Sequence, residues 1–162
     1  MNKFTVPDIC DVHGENIKIC DLFLNSYGKI DKFFGQVETA RCEHSNSIVK
    51  ELVAQNGSNK VLVIQHTGSE KCSMVGDQIA QMAYDNQWKG IITNGYIRDI
   101  EVIKDIPIGV YAKNSYPNKT DKSVGKGEIG LTLEFQNFIV QKDAWAYVDT
   151  NGIIFSEKEL EF

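Results

Sequence analysis

Asp77 and the adjacent pair Arg98-Asp99 are the residues of this chain best suited to chemistry by type and spacing. Each sits where an apolar run meets a glycine-marked loop, at Gly76 and at Gly95. A carboxylate suits a hard divalent cation. A guanidinium beside it suits a substrate carboxylate, because its fork can donate two parallel hydrogen bonds. A helix opening at Gly76-Asp77-Gln78-Ile79 would add backbone N–H groups and the positive end of a dipole. Together these groups point to metal-assisted cleavage of a small oxo-acid. A plainer reading stands beside this one: Asp77 and Asp99 cap helices, and Arg98 makes a surface ion pair worth little.

The elements that must position these residues follow from periodicity. Lys60 to Ile64 and Gly90 to Thr93 are short, β-branched apolar runs, as in parallel strands buried on both faces. Asp77 is expected to cap a helix whose buried face carries Ile79, Ala80, Met82 and Ala83 and which ends near Asn86-Gln87. Arg98-Asp99 are expected to open a short helix through Val102 and Ile103, followed by a strand from Ile108 to Ala112. The section from Lys60 to Ala112 thus reads β-α-β-α-β, with parallel strands and right-handed crossovers. In such sheets the carboxyl ends of the strands form the binding crevice, so the loops carrying the three residues can converge.

Around this centre, Pro7 to Val12 reads as a first helix. Gly28 and Gly35 bracket a loop, and Val37 to Cys42 reads as a strand. Ser45-Asn46-Ser47 offers N-cap chemistry for a helix that stops at Asn56-Gly57. The last third reads as short strands at Leu131 to Phe135, Phe138 to Val140, Ala144 to Val148 and Gly152 to Phe155, with Asn151-Gly152 a hairpin signal. Gly125-Lys126-Gly127-Glu128-Ile129-Gly130 has dinucleotide-type spacing, but an alternating stretch follows it where a helix should open, so a flexible loop is expected.

A chain of 162 residues fits one domain. Its net charge of -5 argues against direct nucleic-acid binding and leaves room for a basic protein partner. No apolar run is long enough to span a membrane, and the start lacks a signal-peptide core, so a cytoplasmic location is expected. Cys10, Cys20, Cys42 and Cys72 are widely spaced and read as buried small hydrophobes. His13, His44 and His66 share no metal-ligand spacing.

At Asp77, Arg98 and Asp99 the chain resembles the RraA-like family, which includes the regulator of ribonuclease activity A and the class II 4-hydroxy-4-methyl-2-oxoglutarate aldolases. The resemblance covers nearly the whole length. It rests on Pro7-Asp8-Ile9-Cys10-Asp11, Phe34-Gly35-Gln36-Val37, Lys60-Val61-Leu62-Val63 and Gly68-Ser69. It continues through Gly76-Asp77, Trp88-Lys89-Gly90, Gly95-Tyr96-Ile97-Arg98-Asp99, Lys119-Thr120-Asp121-Lys122 and Asp149-Thr150-Asn151-Gly152-Ile153-Ile154. The most specific item is the D-x20-R-D spacing, which resembles the catalytic branch; the pure regulators typically lack Asp after the Arg. The chain departs from the family at Gln65-His66-Thr67-Gly68-Ser69, where Asp-Gly-Gly-Gly-Ser is common, and this loop is expected near the site.

The resemblance implies an α/β fold, a three-layer ββα sandwich of the swivelling-domain type, commonly assembled as a homotrimer. It implies an aldolase that uses a divalent cation, Mg²⁺ or Mn²⁺, and releases pyruvate, with oxaloacetate decarboxylation as a side activity. Asp99 would hold the metal, Arg98 the substrate carboxylate or enolate oxygen, and Asp77 a water or a proton. The amides of Gly76, Asp77, Gln78 and Ile79 would receive a carboxylate. Longer aldolases also take an acidic residue from a neighbouring subunit. The regulator branch implies the alternative, a non-catalytic inhibitor of ribonuclease E or of a helicase partner.

Overall fold

A computed structural model describes residues 3–123 and 125–162. The chain opens with α1 (Val6–His13), whose first turn is capped by the Thr5 side chain accepting from the Asp8 N–H, with Pro7 in that turn. Then come β1 (Ile17–Ile19), β2 (Asn25–Ser26), β3 (Phe33–Cys42) and α2 (Ser47–Val53). The centre holds β4 (Lys60–His66), β5 (Ser73–Val75), α3 (Asp77–Asp85), β6 (Gly90–Thr93), β7 (Tyr96–Ile97), α4 (Ile100–Ile103) and β8 (Gly109–Ala112). The last part holds β9 (Asn114–Ser115), β10 (Glu128–Ile129), β11 (Leu133–Glu134), β12 (Ile139–Val140), β13 (Trp145–Asp149) and β14 (Gly152–Ser156).

The main sheet has the order β1-β14-β13-β3-β4-β6-β8-β2, with β10 pairing onto β3. Its centre, β3-β4-β6-β8, is parallel, as the β-α-β-α-β reading requires, and its flanks are antiparallel. Strand alternation sends Leu62 and Ile64 of β4 into a core beneath α2, α3 and α4. Val61 and Val63 point to the other face, where Leu133, Phe138 and Val140 of the β11–β12 hairpin cover the sheet. Helices, main sheet and a small β-layer are therefore stacked in that order. A separate parallel sheet, β5-β7-β9, lies beyond the carboxyl ends of β4, β6 and β8.

Several boundaries differ from expectation for identifiable reasons. Gly35 is inside β3 rather than bracketing a loop; glycine is needed there for close approach, since a Cβ would meet the Asn59 carbonyl oxygen at 2.6 Å. The loop from Gly68 to Gly76 contains β5, three residues long and too short to show a period. α2 ends at Val53, with Ala54 as its C-cap, before Asn56-Gly57. Met82 is only partly buried: it packs against the edge of this core and also lines the cleft described below. Cys42 and Cys72 are buried as expected, whereas Cys10 and Cys20 are half-buried. Glu128 and Ile129, within the glycine-rich stretch, pair with Arg41 and Ala40. No helix among the described residues is long and apolar enough to cross a membrane.

Candidate active site

The short sheet β5-β7-β9 positions the site. Ser73 pairs with Tyr96 and Val75 with Ile97, and the Arg98 N–H donates to the Val75 carbonyl at 3.0 Å. These bonds lock the chain entering α3 against the chain entering α4. Gly76, Asp77, Gln78 and Ile79 thus share one cleft of about 640 Å³ with Arg98 and Asp99.

Two capping expectations are corrected. Gly76, not Asp77, is the N-cap of α3, and Asp77 is its first helical residue. The Asp77 Oδ1 instead accepts from the Gln78 N–H at 2.8 Å. Asp99 stands at the N-cap of α4, but its side chain makes no capping bond. Its backbone carbonyl accepts from Val102 and Ile103, each at 3.0 Å, while its carboxylate turns away toward α3. Asp99 adopts the left-handed conformation at φ 59°, which Asp tolerates better than most residues. Backbone strain of this kind collects at functional positions.

The Asp99 Oδ2 lies 3.3 Å from the Asp77 N–H, so the start of α3 already faces one carboxylate of the chain itself. The same oxygen lies 3.7 Å from the Arg98 Nε. A Cβ built on Gly76 would come within 2.9 Å of it, so the missing side chain is what leaves the carboxylate room. At about a third exposed, the Arg98–Asp99 pair adds little stability. Arg98 is steadied from its far end, where Nη1 donates to the Pro117 carbonyl at 3.5 Å.

The donors present are hard oxygens, which fit Mg²⁺ or Mn²⁺. Among the described residues no group of three or more His, Cys, Asp and Glu gathers for a metal. A cation here would therefore rest on Asp99, completed by water and substrate, as Mg²⁺ tolerates when few protein carboxylates are offered.

Residue types alone did not single out the rest of the cleft lining. Asn46 and Thr120 lie there, and the Thr120 hydroxyl donates to the Asn46 Oδ1 at 2.9 Å while Asn46 Nδ2 donates to the Met74 carbonyl at 2.9 Å. Lys50, Lys119, Asp121 and Lys122 line the same cleft. They sit on irregular chain or an exposed helix face, where no period marks them; only the resemblance around Lys119-Thr120-Asp121-Lys122 touches this stretch. The loop from Gln65 to Ser69 does not line the cleft. Its Gln65 accepts from Arg41 Nε at 3.1 Å and donates to the Glu134 carbonyl at 2.6 Å, which ties it to the small β-layer instead.

Comparison with known proteins agrees with this architecture. Residues 6–155 match the RraA-like family, described as Aldolase/RraA. A Marinomonas sp. (strain MWYL1) protein named "Putative 4-hydroxy-4-methyl-2-oxoglutarate aldolase" is 40% identical over 158 residues, covering 98% of both chains. A protein of the same name from Vibrio vulnificus (strain YJ016) is 39% identical over 160 residues, covering 99% of both. Among solved structures, the RNA-processing inhibitor RraA from Thermus thermophilis superposes with a TM-score of 0.92 at 26% identity, covering 98% of this chain and 96% of its own. A Geobacillus kaustophilus HTA426 structure titled S-adenosylmethionine: 2-dimethylmenaquinone methyltransferase has the same TM-score at 32% identity, covering 97% of both chains. On the family match and on relatives aligned end to end, this chain belongs to the RraA-like family.

Proposed function

We propose that this chain is a divalent-metal-dependent aldolase that cleaves 4-hydroxy-4-methyl-2-oxoglutarate, with oxaloacetate decarboxylation as a side reaction. The observation that carries the reading is the convergence of Arg98, Asp99 and the start of α3 on one cleft, with Gly76 leaving space for the Asp99 carboxylate. The names of the Marinomonas and Vibrio relatives point to the same reaction. The groups in the cleft suit an oxo-acid and a hard cation, which favours this reading over the methyl transfer named for the Geobacillus structure.

A bound Mg²⁺ or Mn²⁺, held by Asp99, would act as a Lewis acid on the 2-oxo group. Arg98 binds the adjacent carboxylate and stabilises the negative charge that develops on the pyruvate fragment. The bond between C3 and C4 breaks and its electron pair enters that fragment as an enolate. The 4-hydroxyl loses its proton to a water held by Asp77, and C3 later takes up a proton. Oxaloacetate loses carbon dioxide to give the same enolate, so a site that stabilises this charge serves both substrates.

Pyruvate release from both substrates, with Mg²⁺ or Mn²⁺ added, tests the reading. EDTA and Arg98→Ala should each abolish it; release that survives both would rule the mechanism out. We further propose a homotrimer, for which the nearly fully exposed Phe23 supplies apolar surface. The solution mass should then approach that of three 18.2 kDa chains.

A second reading, inhibition of ribonuclease E through an arginine-rich or helicase scaffold, draws on the likeness to the Thermus inhibitor and on the acidic charge. It predicts salt-sensitive capture by a basic scaffold segment; binding that is absent or indifferent to salt would count against it.

A further inference from the structure

Arg98 follows the last residue of β7, and 40% of its side chain is exposed. A long side chain in water does not keep one direction unless its far end is fixed. Two groups compete for that end. The Asp99 Oδ2 lies 3.7 Å from Nε, and the Pro117 carbonyl accepts from Nη1 at 3.5 Å. The second contact is long for a hydrogen bond, so it directs the guanidinium only as well as the carbonyl itself is held.

Ser73 holds it. This first residue of β5 is 4% exposed, and it fastens both neighbours of Pro117. Its hydroxyl donates to the Tyr116 carbonyl. Its N–H donates to the Asn118 carbonyl at 2.8 Å, within a parallel bridge between Ser73 and Lys119. The Tyr116 N–H donates to the Ile97 carbonyl at 2.8 Å, which ties the same stretch to the strand that leads into Arg98. Pro117 adds a ring that fixes its φ, and it has no N–H to seek another partner. Of the bonds that clamp this stretch on either side of Pro117, the Ser73 hydroxyl is the one made by a side chain.

We propose that Ser73 is a positioning residue for Arg98: through Tyr116 and Asn118 it fixes the Pro117 carbonyl, and that carbonyl holds the guanidinium off Asp99 and open to the cleft. Among the described residues, Asp99 is the one carboxylate within ion-pair distance of Arg98. A guanidinium released from Pro117 would close on it, and the two charges would then satisfy each other instead of a cation and an oxo-acid. The clamp is a property of the fold; its effect on turnover rests on the aldolase reading.

The chain has two arginines, Arg41 and Arg98, so the Nε–H region of a nitrogen-15 NMR spectrum carries two signals. Arg41 is the internal reference, since its Nε donates to Gln65 at 3.1 Å, outside the cleft. In Ser73→Ala the Arg98 signal should move downfield in the proton dimension, as its Nε–H shortens its contact with Asp99, while the Arg41 signal stays in place. Ser73→Thr keeps the hydroxyl and should keep the wild-type spectrum. Should Ser73→Ala not fold, Ser73→Cys, whose thiol is a much weaker donor, takes its place. With oxaloacetate and Mn²⁺, kcat/KM of the alanine variant should fall about tenfold, as for a small displacement of a binding group, and most of the fall should lie in KM. A mere loss of folded protein would lower kcat and leave KM unchanged.

An Arg98 signal that stays put in the folded variant overturns the role of Ser73. So does an equal shift at Arg41, or a Ser73→Thr signal displaced as far as that of Ser73→Ala. If the signals behave as described while the wild type cleaves neither aldol nor oxaloacetate, the positioning stands and the aldolase reading falls.

Discussion

Asp99 combines a left-handed backbone, an unused capping position and a carboxylate turned toward the next helix over. A residue needed only as a cap would aim its side chain at the N–H groups of α4; this one aims at α3. Two substitutions separate its backbone from its charge. Asp99→Asn keeps a side chain that tolerates positive φ, so the melting temperature should hold while pyruvate release falls about a hundredfold, the order seen when one electrostatic group is removed. Asp99→Ala should lose the same activity and also about 1 kcal/mol of stability from left-handed strain, read from urea midpoints. Gly76→Ala is the complementary probe. Gly76 has φ -117° and ψ -173°, an extended conformation open to any residue. The new Cβ would press on the Asp99 oxygen at 2.9 Å and displace it. Stability should barely change while kcat falls about ten- to a hundredfold, as for small displacements of a catalytic group. Full activity in Gly76→Ala would show that the position of this carboxylate is unimportant.

Elements differ in how strongly the sequence marks them. The parallel strands are legible because both their faces are buried, so their apolar runs are continuous. β6 and β8 also carry glycines in register, Gly90 opposite Gly109, and the Phe33 ring fills the space that both leave. A Cβ at Gly90 would approach that ring at 2.3 Å, so Gly90→Ala should cost about 1–3 kcal/mol by overpacking, measured by chemical denaturation. Asp77, Arg98 and Asp99 stand out by charge beside apolar runs, so the acid–guanidinium half of the cleft is legible too. β5, β7 and β9 are not, since strands of two or three residues contain no repeat. The lysine lining is hidden for the related reason that hydrogen bonds to backbone carbonyls, not side-chain pattern, fix the segment 116–123. At the end of β4, burial lowers the His66 pKa below its usual 6.5. The folded ring stays neutral at a pH where the unfolded chain would bind a proton. Stability is therefore present above about pH 6.5 and lost as the pH falls through that region. Urea midpoints should drop more steeply from pH 7.5 to pH 5.5 in the wild type than in His66→Gln; equal slopes would remove His66 as a contributor.

At the scale of the whole molecule, the site is assembled from places far apart in the chain: α2, the start of α3, the entry to α4 and the segment 116–123. None of these pieces forms the cleft alone; only folding brings Asp99 to Asp77 and the lysines into the same cleft. A ligand that needs the complete cleft must therefore bind the folded state and not the unfolded chain, which ties occupancy to global stability. Oxalate resembles the enolate of pyruvate in carrying two adjacent oxygen donors, and it cannot be cleaved. With Mn²⁺ and oxalate each near a hundred times its dissociation constant, linkage adds about 2.7 kcal/mol or more to unfolding. For a chain of this size that corresponds to a rise in Tm of roughly 5–10 °C. Mn²⁺ or oxalate alone should do much less, because Asp99 offers the cation one carboxylate and the oxo-acid completes the shell. EDTA should reverse the rise, and Asp99→Asn should not show it. If Mn²⁺ and oxalate together raise Tm no more than their separate effects combined, metal and oxo-acid do not meet in this cleft.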